Sequence, residues 1–200
     1  MDIQKELKEQ TYELHKQAEN HPVMASFIKG EYKKEQLLQT LVNLRPIYET
    51  VEQRLLVPHI HNNFDLCRSR LISKDIANVY KDLCKEGVDV VKYLTIFNST
   101  ERWVSDQWIC SSTDLVADFY VRWLADLYGG RMLARSLSPY ANSYSFTDVQ
   151  NTMKNIRDII VSCADYMESS AEDAVNRIVE RAKCFFQYHV ELFNTIESNS

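Results

Sequence analysis

A chain of 200 residues with only four glycines and four prolines can make few tight turns. Sandwiches and barrels of β-strands need turns at short intervals, and turns draw on these two residue types, which together usually supply roughly 12% of a chain. The scarcity predicts long helices. In the first segment Ile3, Leu7, Leu14 and Ala18 recur at helical rather than alternating spacing. Two hundred residues is about one domain and enough to bury a core without disulfide or metal staples. The expected fold is therefore all-α, a single multi-helix domain over residues 1–200 with seven or eight helices.

Capping and breaking residues set the expected boundaries. Asp2 caps a first helix that reaches Glu19 and stops before Pro22; a short turn of helix from Val23 to Lys29 ends at Gly30. A long segment runs from Lys33 to Leu56, kinked by Pro46 and closed by Pro58. Ser73, Asp75 and Ile76 open a helix that Gly87 closes, and Val88 to Trp108 is helical in pieces. Ser112 or Thr113 caps an apolar helix running to Pro139; two more follow, Thr147 to Glu168 and one opened by Ser170-x-x-Asp173 that ends near Glu197.

Composition removes several function classes. A formal net charge of −5 gives no basic footprint for nucleic acid. No run approaches the roughly 18 apolar residues of a membrane span, and MDIQKELKEQ lacks the apolar stretch of a secretory leader, so residence in the cytoplasm is expected. The five cysteines (Cys67, Cys84, Cys110, Cys163, Cys184) form no CxxC pair, which argues for reduced, mostly buried thiols rather than disulfides or zinc. His21, His59 and His61 lie beside prolines or in a loop and are expected to be solvated, while Trp103, Trp108 and Trp123 are expected in the core.

Two places carry candidate chemistry. In TYELHKQAEN, Lys8, Thr11, His15 and Glu19 share one helix stripe, and a carboxylate one turn from a histidine can orient its ring for metal binding. A solvated His–Glu pair is the competing reading, and spacing alone does not separate the two. The second place is Gly129-Gly130 inside an otherwise strong helix, where each glycine costs about 1 kcal/mol relative to alanine. Two missing side chains let either another helix or a flat ligand approach the backbone. Arg122 and Asp126 precede the pair at one-turn intervals, as a structural ion pair or as a buried acid beside a ligand.

TYELHKQAEN, HPVMASFIKG, LRPIYETVE and FYVRWLADLYGGR, in this order and spacing, resemble the heme oxygenase family over nearly the whole chain. The resemblance implies an all-α domain that sandwiches heme between a proximal helix and a kinked distal helix. It also implies an oxidoreductase of monooxygenase type that uses dioxygen and electrons from a ferredoxin or an NADPH-dependent reductase, giving biliverdin, carbon monoxide and ferrous iron. By position, His15 resembles the iron ligand and Glu19 its steadying carboxylate; Lys8 resembles a propionate anchor, and Met24, Phe27 and Phe186 resemble apolar heme contacts. Asp126 resembles the distal catalytic acid, supported by Arg122 and Tyr48, with Tyr120 on the same helix and Gly129 and Gly130 lying over the heme.

Three positions depart from the family pattern. Ala125 stands where a glycine commonly precedes the acid, Tyr128 where a small residue is usual, and His189 where a polar amide is common and a satisfied histidine is expected. Near the later propionate anchor only Lys154 and Arg157 are basic. The rival reading is a heme-binding or heme-sensing protein of the same fold that turns heme over weakly.

Overall fold

The computed structural model describes residues 3–56, 64–165 and 171–199, and among them the chain is helical without strands. The helices are α1 (Ile3–Glu19), α2 (Pro22–Lys29), α3 (Lys34–Val51), α4 (Ser69–Lys85), α5 (Asn98–Ile109), α6 (Ser112–Ser136), α7 (Val149–Asp165) and α8 (Ala171–Ser198). A π turn, Glu52–Leu56, continues α3, and 3-10 turns occupy Phe64–Leu66, Val91–Leu94 and Asn142–Tyr144. None of the described helices is long and apolar enough to cross a membrane.

Several ends fall where sequence placed them. Gly30 closes α2 with a left-handed φ of 74°, its N–H returning to Phe27 O, a conformation that glycine adopts without Cβ strain. Other ends are set from outside the helix. The fourth helix starts at Ser69, not at Ser73, because the Glu52 carboxylate accepts from Arg68 N (2.6 Å), Ser69 N (2.7 Å) and the Ser69 hydroxyl, serving as a cap from a distant turn. Ser73 instead donates to Ser69 O within the helix. Asp75 is fully buried and accepts from Asn142 N (2.9 Å) and Ser143 N (2.7 Å). Ser111 rather than Ser112 or Thr113 caps α6, in a reciprocal capping box with Asp114, and the helix stops at Ser136, short of Pro139. Pro46 lies inside α3, which stays α-helical to Val51 before the π turn. The expected signals at Asp2, Pro58 and Ser170, and His59 and His61, lie outside the described residues.

The long last helix is the hub, packing on α1, α2, α3, α5 and α6. Its i+4 row meets the i+4 row of α6. Arg177 grips Asp114 through two bonds (2.8 and 2.7 Å), Arg181 grips Asp118 through two (both 2.9 Å), and Arg122 reaches His189 at 3.3 Å. Residue numbers rise together along this ladder, so the two helices run in the same direction. The Asp118–Arg181 rung is the buried one, and removing one partner of such a pair typically costs about 3–5 kcal/mol.

Trp123 is fully buried between Tyr48 (ring centroids 4.7 Å) and Phe119 (5.0 Å), and its indole N–H is satisfied by Leu66 O at 3.0 Å. Trp103 stacks on Phe185 at 4.9 Å, but Trp108, in the last turn of α5 beside the exposed Ile109, is half exposed, contrary to expectation. The cysteine expectation also changes: Cys84 and Cys184 are exposed, and Cys67 and Cys110 are half-buried, while the side chain of Cys163 lies outside the described set.

Candidate functional site

On α6, Asp126 is 3% exposed and tied both to its own helix and to α3. Arg122, one turn earlier, donates from Nη2 to Asp126 Oδ1 (3.0 Å) and from Nε to the Tyr48 hydroxyl of α3 (2.8 Å). The Tyr48 hydroxyl in turn donates to Asp126 Oδ2. Sequence spacing paired Arg122 with Asp126; the resemblance supplied Tyr48, and the structure brings all three together.

The electrostatics of this cluster follow from its dryness. Burial pushes the Asp126 carboxyl above its usual range, opposed by the Arg122 charge and the Tyr48 hydrogen bond. Burial also holds the Tyr48 phenol well above its usual value. For Arg122 burial works against the charge, and the Tyr48 and Asp126 oxygens more than restore it, so the guanidinium stays a cation.

His189 of α8 completes the cluster. Its Nδ1 lies 2.7 Å from Phe185 O and its Nε2 lies 3.3 Å from Arg122 Nη1. Burial and the Arg122 charge push its pKa down to about 3, so the ring is neutral. Sequence reading took it as a satisfied helix histidine, which it is, and missed what it touches. The signal was present in the i+4 row Arg177, Arg181, Phe185, His189 facing Asp114, Asp118, Arg122, Asp126.

The two glycines of α6 do different work. A Cβ on Gly130 would meet Tyr144 O at 3.2 Å and Tyr144 Cβ at 3.6 Å, so this glycine admits the Asn142–Tyr144 turn against the helix. A Cβ on Gly129 would meet nothing within 4 Å. Of the two readings of the pair, close packing holds at Gly130, and only Gly129 leaves an open surface.

On α1 the stripe divides. Thr11 is buried and bonds back to Leu7 O at 2.7 Å, whereas the His15 side chain is 51% exposed. His15 Nδ1 and Glu19 Oε2 stand 3.7 Å apart, close enough to attract but beyond a hydrogen bond. The imidazole meets Phe186 of α8 edge-on, with ring centroids 5.7 Å apart. His21 corrects an expectation. It is buried as the cap of α2, with Nδ1 accepting from Val23 N (3.3 Å) and Nε2 facing Asn194 Oδ1 (3.1 Å). Among the described residues no group of three or more His, Cys, Asp or Glu side chains could hold a metal ion.

A family model described as heme oxygenase matches residues 1–195. The chain belongs to the heme oxygenase family. Heme oxygenase 1 of Synechocystis is 24% identical over 215 residues, covering 100% of this chain and 86% of that protein. The heme oxygenase of Porphyra purpurea is 26% identical, covering 97% and 86%. Heme oxygenase 2 of Macaca fascicularis is 26% identical over 98% of this chain, which spans 66% of the macaque protein's length. The crystal structure of Synechocystis heme oxygenase-1 in complex with heme superposes with a TM-score of 0.78 at 21% identity, covering 100% of this chain and 94% of that one. The heme oxygenase structure from Leptospira interrogans gives 0.74 at 25% identity, covering 96% and 98%.

In this member of the heme oxygenase family the remaining expected site residues differ in burial. Met24, Tyr120 and Ala125 are half-buried, and Phe27 is buried with its ring edge-on to Tyr32. Lys8, Lys154 and Arg157 are exposed. Tyr128 turns its hydroxyl toward Met153 Sδ of α7, 3.5 Å away. The link between His15 and the Arg122 cluster is α8, where Phe186 touches His15 and His189, less than one turn later, touches Arg122.

Proposed function

We propose that this chain takes heme as its substrate between α1 and α6 and opens the porphyrin with dioxygen and electrons, releasing biliverdin, carbon monoxide and ferrous iron. The observation that carries the reading is the buried Asp126 carboxyl, tied to Tyr48 and Arg122 one turn before the open backbone of Gly129. Bound heme supplies the iron at which dioxygen and electrons react.

The residues present fit such a ligand. An imidazole with half its surface free and an open helix backbone are what a flat iron porphyrin needs on its two faces. His15 would hold the iron through its free ring nitrogen, and Glu19, beside Nδ1, would steady the ring. Lys8 holds a propionate, and Met24, Phe27, Tyr120, Ala125 and Phe186 line the apolar walls. Asp126, its proton held more tightly because it is buried, passes protons through water to the ligand side of the heme. Tyr48 and Arg122 keep its two oxygens in place. The 200 residues act as one domain in the cytoplasm, with a ferredoxin or an NADPH-dependent reductase as electron donor.

The test is the absorption spectrum of the protein with one equivalent of hemin, followed after adding ascorbate with catalase present. A Soret band that decays as a broad red biliverdin absorption grows is the expected result. A band that persists favours the heme-binding or heme-sensing alternative, and no band at all removes both. His15→Ala should abolish the normal ligation, and Asp126→Asn should slow ring opening by about tenfold or more while leaving hemin affinity within about twofold. Equal loss of affinity in both variants contradicts the assigned roles.

A further inference from the structure

We propose that His189 is a positioning residue for the distal cluster, its Nε2 lone pair fixing the rotation of Arg122 and, through it, the direction of the Tyr48 hydroxyl toward Asp126. The inference rests on the heme-degrading reading of this same site and deepens it.

The geometry determines which ring nitrogen carries the hydrogen. Phe185 O can only accept, so Nδ1 at 2.7 Å is the protonated nitrogen. A neutral ring then has its lone pair on Nε2, the atom that faces Arg122 Nη1 at 3.3 Å. The ring is 3% exposed and is held edge-on by Phe185 (centroids 4.6 Å) and Tyr188 (5.3 Å). Tyr188 is anchored in turn by Thr100 of α5 at 2.8 Å. The groups that bear on His189 are Arg122 of α6 directly, with Asp126 of α6 and Tyr48 of α3 acting beyond it. The Arg122 charge and burial together keep the imidazole neutral far below neutral pH.

A guanidinium is planar, so pinning three of its nitrogens fixes the whole fork. Nη1 goes to His189, Nε to Tyr48 and Nη2 to Asp126. Because the Tyr48 oxygen accepts from Arg122, its own hydrogen is directed at Asp126. The hydrogen bonds thus run one way, from Arg122 through Tyr48 to the carboxylate. Without the acceptor on α8, Arg122 Nη1 is left buried and unpaired, and the fork turns to seek another partner. A residue of the same bulk without a lone pair cannot substitute, whereas the amide oxygen of glutamine reaches the place of Nε2.

The experiment separates positioning from packing in two stages. In the heme-free protein, nitrogen–proton correlation NMR should show His189 as the Nδ1–H form from pH 8 to pH 5, and the Tyr48 hydroxyl proton as a slowly exchanging downfield resonance. His189→Leu should lose that resonance and His189→Gln should keep it. With hemin bound, the pH midpoint of the ferric spectrum should move by about half a unit or more in His189→Leu and turnover should fall about tenfold. His189→Gln should restore both, and hemin affinity should stay within about twofold throughout. An Nε2–H tautomer, titration near pH 6.5, or a leucine variant indistinguishable from wild type overturns the inference. If wild type fails to bind hemin, the heme reading falls, while the heme-free resonances still decide the role of His189. Where the leucine variant does not fold, the tautomer and the absence of titration in the wild type decide it.

Discussion

Replacing each glycine of α6 by alanine tests the division of labour between them. In a helix interior Gly→Ala ordinarily stabilises by about 1 kcal/mol, since alanine has less backbone freedom to lose. At Gly129 nothing opposes that gain, because a Cβ there meets no atom within 4 Å. Gly129→Ala should raise the heme-free melting temperature by about 2–4 °C, the usual response of a chain of this size to 1 kcal/mol. At Gly130 the new methyl would press on Tyr144 O at 3.2 Å. That turn cannot retreat freely, since Asp75 holds Asn142 N and Ser143 N, and Arg68 holds the Ser143 and Ser145 carbonyls. Overpacking of this kind costs about 1–3 kcal/mol, so the net change for Gly130→Ala runs from about zero to 2 kcal/mol destabilising. Thermal unfolding followed by far-ultraviolet circular dichroism measures both. Hemin titration adds the functional half: the methyl at 129 enters the surface assigned to heme and should weaken hemin about tenfold, the effect of roughly 1.4 kcal/mol of lost contact. Equal stabilisation by both alanines would refute the close-approach argument at Gly130. Unchanged hemin affinity in Gly129→Ala would remove Gly129 from the heme surface.

The remaining expectations concern pH and capping. Native His189, with its pKa pushed down to about 3, binds no proton where the unfolded chain's histidine does, so its stabilising contribution is complete above about pH 6.5 and is lost as pH falls toward 3. Each pH unit inside that window costs about 1.4 kcal/mol, and chemical denaturation between pH 7 and 5 should show a shallower decline in His189→Gln. At Asp65 burial raises the carboxyl, but bonds from Asp148 N, Thr147 and Thr152 carry it below its usual value. Its contribution is therefore complete above about pH 3.9 and lost as pH falls through the lower native value; Asp65→Asn should flatten the melting-temperature curve below pH 4. Glu52→Ala should cost about 1–2 kcal/mol through the lost cap of α4, read as a shifted denaturation midpoint at unchanged slope.

What sequence made legible is what one helix can show by itself. Arg122 and Asp126 share a face of α6 at a spacing of four, and the cost of two glycines in a strong helix demanded an explanation. The caps that misled were those supplied across space. Ser73 looked like a helix start because nothing local announces that the carboxylate of Glu52, seventeen residues before Ser69, accepts the first N–H groups there. His21 looked solvated because its other ring nitrogen is satisfied by Asn194, 173 residues away. His189 is the instructive case between these extremes. Its neighbours Arg177 and Arg181 repeat every four residues on α8 as Asp114 and Asp118 do on α6, and opposite charges at matching intervals on two helices can meet in only a few registers. Aligning the two acid–base rungs brings Phe185 level with Arg122 and His189 level with Asp126, where the Arg122 side chain, reaching one turn forward to Asp126, meets the His189 ring. The charged ladder therefore specifies which α8 residue meets the distal cluster, so a register shift between these helices would remove the Arg122 acceptor even with every residue of the cluster unchanged.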